Sequence, residues 1–184
     1  GVGLHSGKKV LMVLRPAPPD TGVVFIRTDL DEPVEVRAYA ENVGETMLGT
    51  TLLKGDVRVA TIEHLLSAFA GLGIDNAYVE LSAEEVPIMD GSALPFVNLL
   101  KKVGTKTQGA SKRMLVIKKP VVVEEGEGRA ALLPSDEFKI TYDIDFEHKA
   151  IGRQSFSMLF TDRNYESLIC GARTFGFLKE VEFL

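Results

Sequence analysis

Val59, Ile62, Leu66, Phe69 and Leu72 recur at the i, i+3, i+4 spacing of a core-facing helical stripe. The other apolar residues come in short runs rich in β-branched side chains, among them Val10–Leu14, Val23–Arg27, Val34–Ala38 and Ala77–Leu81. Glycine and proline cut these runs apart, most densely in Arg15–Gly22. A helix must bury its stripe and each strand one face, so the pattern asks for helices laid on sheet: an α+β fold. Thr61 is the expected N-cap of the Val59–Leu72 helix, Glu63 falls in its first turn, and Gly71 and Gly73 supply the stop. Arg37–Thr51 reads as a loop-rich insertion, Asp90-Gly91 as a turn, and Phe96–Val103 as a second short helix.

Gly104–Ser111 is polar and glycine-containing, and it is the best domain boundary. After it, Met114–Ile117, Val121–Val123, Arg129–Leu133 and Lys139–Phe146 read as strands, with Gly126 and Gly128 turning one hairpin. Tyr165–Cys170 then falls in a helix. Each half runs through several strands to a helix, which suggests two similar α+β domains, 1–107 and an incomplete 108–184. Both ends read as cut. Gly1 begins directly in patterned sequence, and Phe177, Val181 and Leu184 recur at helical spacing with no stop signal after them. A fragment of a longer protein is expected.

The formal net charge of −5 argues against a nucleic-acid binder, which needs clustered Lys and Arg, and against charge-driven attachment to anionic lipid. Cys170 is the only cysteine, so no internal disulfide forms, as suits a reducing compartment. No apolar run reaches the roughly 20 residues that span a bilayer, and no signal peptide is visible. A cytoplasmic monomer without membrane insertion is the expectation.

The three histidines are His5, His64 and His148, and none lies in a self-sufficient metal motif such as HExxH. Glu63-His64 places an acid beside a ligand-type side chain in the first helical turn, although Glu63 there also simply complements the dipole. A catalytic zinc needs three protein ligands and an open position. His64 offers one; His5, Cys170 and the carboxylates are further donors that no spacing singles out. Asp90-Gly91-Ser92 reads either as a phosphate-binding turn or as a plain turn with Ser92 capping the next element. Arg173-Thr174-Phe175 is either a polar lip for a ligand or a helix end entering a strand. Cys170 is either a nucleophile or, with no helix N-terminus or histidine evident beside it, a buried thiol.

Together the segments GVGLHSG at 1–7, RPAP at 15–18, TMLG at 46–49, TIEHLL at 61–66, GLGIDN at 71–76, PIMDGS at 87–92 and ARTFGF at 172–177 resemble one family across essentially the whole chain. It is the zinc-dependent UDP-3-O-acyl-N-acetylglucosamine deacetylase family of lipid A synthesis. The resemblance implies two α+β domains, each a mainly antiparallel sheet with helices, the helices packed between two outer sheets. It implies hydrolysis of the N-acetyl group of an acylated UDP-N-acetylglucosamine, a small-molecule substrate, with Zn2+ as cofactor.

Carried over by position, His64 resembles a zinc ligand, and Glu63 the general base acting on the attacking water. Thr174 resembles a residue whose hydroxyl holds the oxyanion, and Phe175 an aromatic beside the substrate sugar. Leu48 resembles an apolar residue at the site's mouth; Asp145 and Phe146 match positions at the uridine end. The family's other two zinc ligands, in a His-Lys-x-x-x-Asp motif, are expected beyond Leu184, as are a further catalytic His and a Lys near the diphosphate. The isolated chain is therefore expected to bind zinc weakly and to be inactive. The rival readings are a non-catalytic nucleotide-sugar binding module, an interaction domain with an apolar cleft, and a cysteine hydrolase using Cys170.

Overall fold

The computed structural model describes residues 1–178 and is mixed α+β. It divides into two compact units: Gly1–Gly109 together with the residues from Tyr165 on, and Ala110–Asn164.

The first unit is built on strands β1 (Met12–Pro16), β2 (Val23–Arg27), β3 (Val34–Arg37) and β6 (Ala77–Leu81), in the order β1-β6-β2-β3. All neighbours run antiparallel except the parallel pair β2 and β6. Register puts Val36, Phe25, Val79 and Leu14 side by side on one face, and Phe25, Val36 and Val79 are wholly buried. The intervening positions face the other way, where Arg15 pairs with Glu80 at 2.6 Å. This alternation is what a sheet with one covered face requires. A hairpin of β4 (Leu52–Lys54) and β5 (Val57–Val59) turns at Gly55, whose φ of 58° is free of a Cβ penalty. The buried Arg27 guanidinium donates to both oxygens of Asp29 and to the Arg58 carbonyl, tying β2 to that hairpin.

Helix α1 (Glu63–Gly71) buries Leu65, Ala68 and Phe69, and helix α2 (Leu94–Val103) buries Phe96 and Val97. Pro95 at the start of α2 sits where its missing N–H costs nothing. The segment from Tyr165 joins this unit through a ring packed directly on Gly71, where any Cβ would collide with it, and through a 2.9 Å bond between the Tyr165 and Ser67 hydroxyls.

The second unit contains the hairpin β7 (Val121–Glu125) and β8 (Gly128–Leu132), turned at Gly126, and a longer pair, β9 (Lys139–Phe146) with β10 (Gly152–Leu159). Hydroxyls of Thr141 and Ser157 meet across β9 and β10 at 2.8 Å, and the rings of Phe138 and Phe160 lie 5.1 Å apart. A third helix, α3 (Asp162–Leu168), begins in this unit's sequence.

Several expected boundaries move. The first strand runs to Pro16 rather than ending at Leu14, because β1 is an edge strand and tolerates a residue that donates no ladder bond. The expected helix start at Val59 belongs to β5, and the helix begins at Glu63. Thr61 is not its cap: the N-cap position is Ile62 without a side-chain cap bond, while the Thr61 hydroxyl bonds Glu85 instead. Met114–Ile117 forms no strand; Met114 and Leu115 are exposed and no strand pairs with them. No sequence pattern marks β10, since Gly152–Leu159 is largely polar and becomes a strand through its partner β9. The helical recurrence at Val181 and Leu184 lies outside the described residues. No helix among the described residues is long and apolar enough to cross a membrane.

Candidate functional site

Helix α1 presents Glu63 and His64 in its first turn, both half-buried. Successive helical residues diverge by about 100°, so the two side chains leave the helix in different directions. Glu63 Oε2 accepts the Thr50 N–H at 3.0 Å. This bond anchors the end of the loop carrying Leu48 and Gly49, where Leu48 holds a left-handed φ of 57° and is exposed. A Cβ at Gly49 would lie 3.3 Å from Glu63 Oε1, 3.6 Å from His5 Nε2 and 3.7 Å from the Thr61 hydroxyl. Those three groups therefore line one small space, and a side chain at position 49 would crowd it. His5 Nε2 is shielded from solvent there and has no hydrogen-bond partner among the described residues.

Beneath this space lies Glu85, which is 1% exposed. Its Oε1 accepts the His5 N–H and the Thr61 O–H, each at 3.0 Å, and its Oε2 accepts the Ser6 N–H at 2.8 Å. Burial pushes this carboxyl up, but the hydrogen bonds from His5, Ser6 and Thr61 outweigh it and hold the group below its ordinary value of 4.5. The unfolded chain thus binds this proton more tightly than the folded one. The stability that Glu85 contributes is present above pH 4.5 and is lost as pH falls through the folded value. Urea midpoints measured from about pH 6 down to about pH 3 should fall on the acid side, and the fall should be shallower in Glu85→Gln.

Thr174 donates its N–H to the Gly91 carbonyl at 2.9 Å, and Arg173 reaches Asp90 at 3.9 Å, so ARTFGF meets the PIMDGS turn. The segment 172–177 is neither helix nor strand. Phe175 is exposed and meets Phe177 edge-on, with ring centroids 6.0 Å apart. The turn itself is self-contained: Asp90 accepts from the Ser92 hydroxyl at 2.7 Å, Ser92 accepts the Leu94 N–H, and the hydroxyl bond holds the Asp90 carboxyl low. That is the plain-turn reading, although Ser92 is not the cap of α2: the N-cap position is Ala93 without a side-chain cap bond, and the Ser92 hydroxyl takes the Leu94 N–H from one position earlier. Asp145 and Phe146 sit in the second unit at the end of β9, opposite Arg153 and Gly152. Cys170 is buried, its thiol pushed up by that burial and donating to the Glu166 carbonyl, which is no setting for a nucleophile.

Among the described residues no group of three His, Cys, Asp or Glu could hold a metal ion. His64 is thus a single candidate ligand, and the chain's own described residues do not complete a zinc site.

Neither Glu85 nor the approach of His5 to Glu63 is visible in the spacing of residues. The donors to Glu85 lie 80, 79 and 24 positions away. The one available signal is an acid pair, Glu84-Glu85, set directly against the apolar Val86-Pro87-Ile88.

A family model described as LpxC: UDP-3-O-acyl N-acetylglycosamine deacetylase matches residues 1–184. The chain belongs to this deacetylase family. Among curated relatives, the UDP-3-O-acyl-N-acetylglucosamine deacetylase of Marinobacter nauticus is 59% identical over 186 residues. Those of Hahella chejuensis and Pseudomonas entomophila are 56% and 55% identical. Each alignment covers 100% of this chain, but the chain spans only 61–62% of the length of these relatives. Membership of the deacetylase family and the mixed α+β architecture agree with the expectation from the sequence motifs.

Proposed function

We propose that the protein hydrolyses the N-acetyl group of UDP-3-O-(3-hydroxyacyl)-N-acetylglucosamine, releasing acetate, as an early committed step of lipid A synthesis in the cytoplasm. The observation that carries this reading is the Glu63 carboxylate, with one oxygen pinned by the Thr50 N–H and the other turned toward the space lined by His5 and Thr61. A carboxylate oriented in this way is suited to take a proton from a water attacking the acetamide carbon. Thr174 would offer its hydroxyl to the developing oxyanion; its backbone bond to Gly91 supports a fixed position. Phe175 would lie beside the sugar and Leu48 at the mouth. Asp145 and Phe146 would meet the uridine end, where an aromatic ring can stack on the base.

The cofactor of this reading is Zn2+, with His64 as one ligand and the remainder supplied by residues outside this chain. When bound, zinc supplies Lewis-acid polarisation of the water and the carbonyl. In the longer protein, 1–107 would form one α+β domain and 108 onward the start of a second, acting as a monomer on a soluble nucleotide-sugar without inserting in the membrane. The test compares the 184-residue chain with one of the relatives' length. Bound zinc and acetate release should be found for the longer chain and be near zero for the shorter. Equal activity in both would overturn the division of the site.

A further inference from the structure

We propose that Glu85 is a positioning residue for this chemistry: its buried carboxylate holds the His5 loop and the Thr61 turn so that both face Glu63. The inference rests on the function proposed above. A buried carboxylate is costly unless donors surround it. No cation forms an ion pair with Glu85 among the described residues, and its partners are the backbone N–H groups of His5 and Ser6 and the hydroxyls of Thr61 and Ser6. Such donors have fixed directions, so this carboxylate orients chain segments where an ion pair would merely neutralise charge.

Both segments it holds lead to the same place. The His5 N–H bond fixes the residue whose Nε2 lies shielded and unpartnered near Glu63. The Thr61 bond restrains a β-branched residue with φ of 57°, a strained backbone two positions before Glu63. At Gly3 a Cβ would run into the Glu85 carboxylate and the Ser6 side chain, so the GVGLHSG loop closes directly over the acid. Two conformational constraints, one strained turn and one glycine-only approach, therefore converge on a single buried carboxylate. Strain of this kind persists only where its surroundings enforce it, and here the enforcing group is linked through the Thr61 hydroxyl to the space that the candidate general base lines.

The test uses the protein at the full length of its relatives, loaded with zinc, and Glu85→Gln, which keeps the shape but sets an N–H₂ against N–H or O–H donors. Deacetylation should lose about 10- to 100-fold in kcat with KM within about twofold, the range seen when groups that orient a site's residues are removed. In the imidazole NMR spectrum, the His5 ring signals should shift and lose their contacts to Gly49 and Thr61, while those of His148 stay in place. Wild-type kcat, a KM rise that accounts for the whole loss, or an unmoved His5 ring would each overturn the proposal. If Glu85→Gln does not fold, Thr61→Val removes one donor and keeps the side-chain shape; wild-type kcat and unchanged His5 contacts in that variant overturn it equally. A wild-type protein with no deacetylase activity would refute the function proposed above, and the His5 signals would still decide the positioning role.

Discussion

Glu63→Ala, in a chain of the relatives' length, should lower kcat for deacetylation by about 10²- to 10⁴-fold while the nucleotide-sugar still binds. The expectation rests on geometry. The Glu63 carboxylate is held by the Thr50 N–H and directed into a space that also receives His5 and Thr61. Removing it abolishes the proton acceptor and leaves the groups assigned to sugar and uridine untouched, so the loss belongs in kcat rather than KM. Paired measurements of turnover and of ligand affinity by calorimetry decide the matter. Unchanged turnover would favour the rival account of a nucleotide-sugar binding module that does no chemistry.

Phe25→Ala should destabilise the protein by about 3–5 kcal/mol, the range for truncating a fully buried aromatic in a core that cannot collapse around the gap. Phe25 is wholly buried, registered between Val36 on β3 and Val79 on β6, both of them equally buried. Neither neighbour can move into the space without breaking ladder bonds to β2. The urea midpoint should drop with little change in slope, because the variant unfolds the same surface. A loss below about 1 kcal/mol would mean that the sheet relaxes over the cavity and that this row is not the centre of the core.

The elements legible in sequence were those whose pattern is local. The helix and its closing glycines were readable, and Ala77–Leu81 alternates as a strand with one covered face must. Of the expected stripe, however, only Phe69 is buried within α1, beside Leu65 and Ala68, while Leu66 and Leu72 are half-buried and Val59 belongs to β5. Failures came where neighbours outvoted local preference. Thr61 is a good N-cap residue, yet its hydroxyl is taken by an acid 24 positions later, and the helix starts without that cap. Met114–Ile117 has strand composition but no strand beside it, whereas the polar Gly152–Leu159 is a strand because β9 pairs with all eight of its residues. The site divides in the same way. Glu63-His64 stood out as an acid beside an imidazole, but nothing in the spacing announced that His5 approaches Glu63 or that Glu85 lies beneath both.

By itself, then, the order of residues determined the mixed α+β class, the main helix and, through its motifs, the deacetylase family. Periodicity and glycine placement act over a few residues, so they can be read without a fold. Only the tertiary structure decided which polar groups meet: a buried carboxylate accepts donors from wherever the chain happens to pass, and two segments far from each other in sequence, at His5-Ser6 and Thr61, pass Glu85. Burial makes that convergence matter, because inside the protein an acid without such donors would not remain charged.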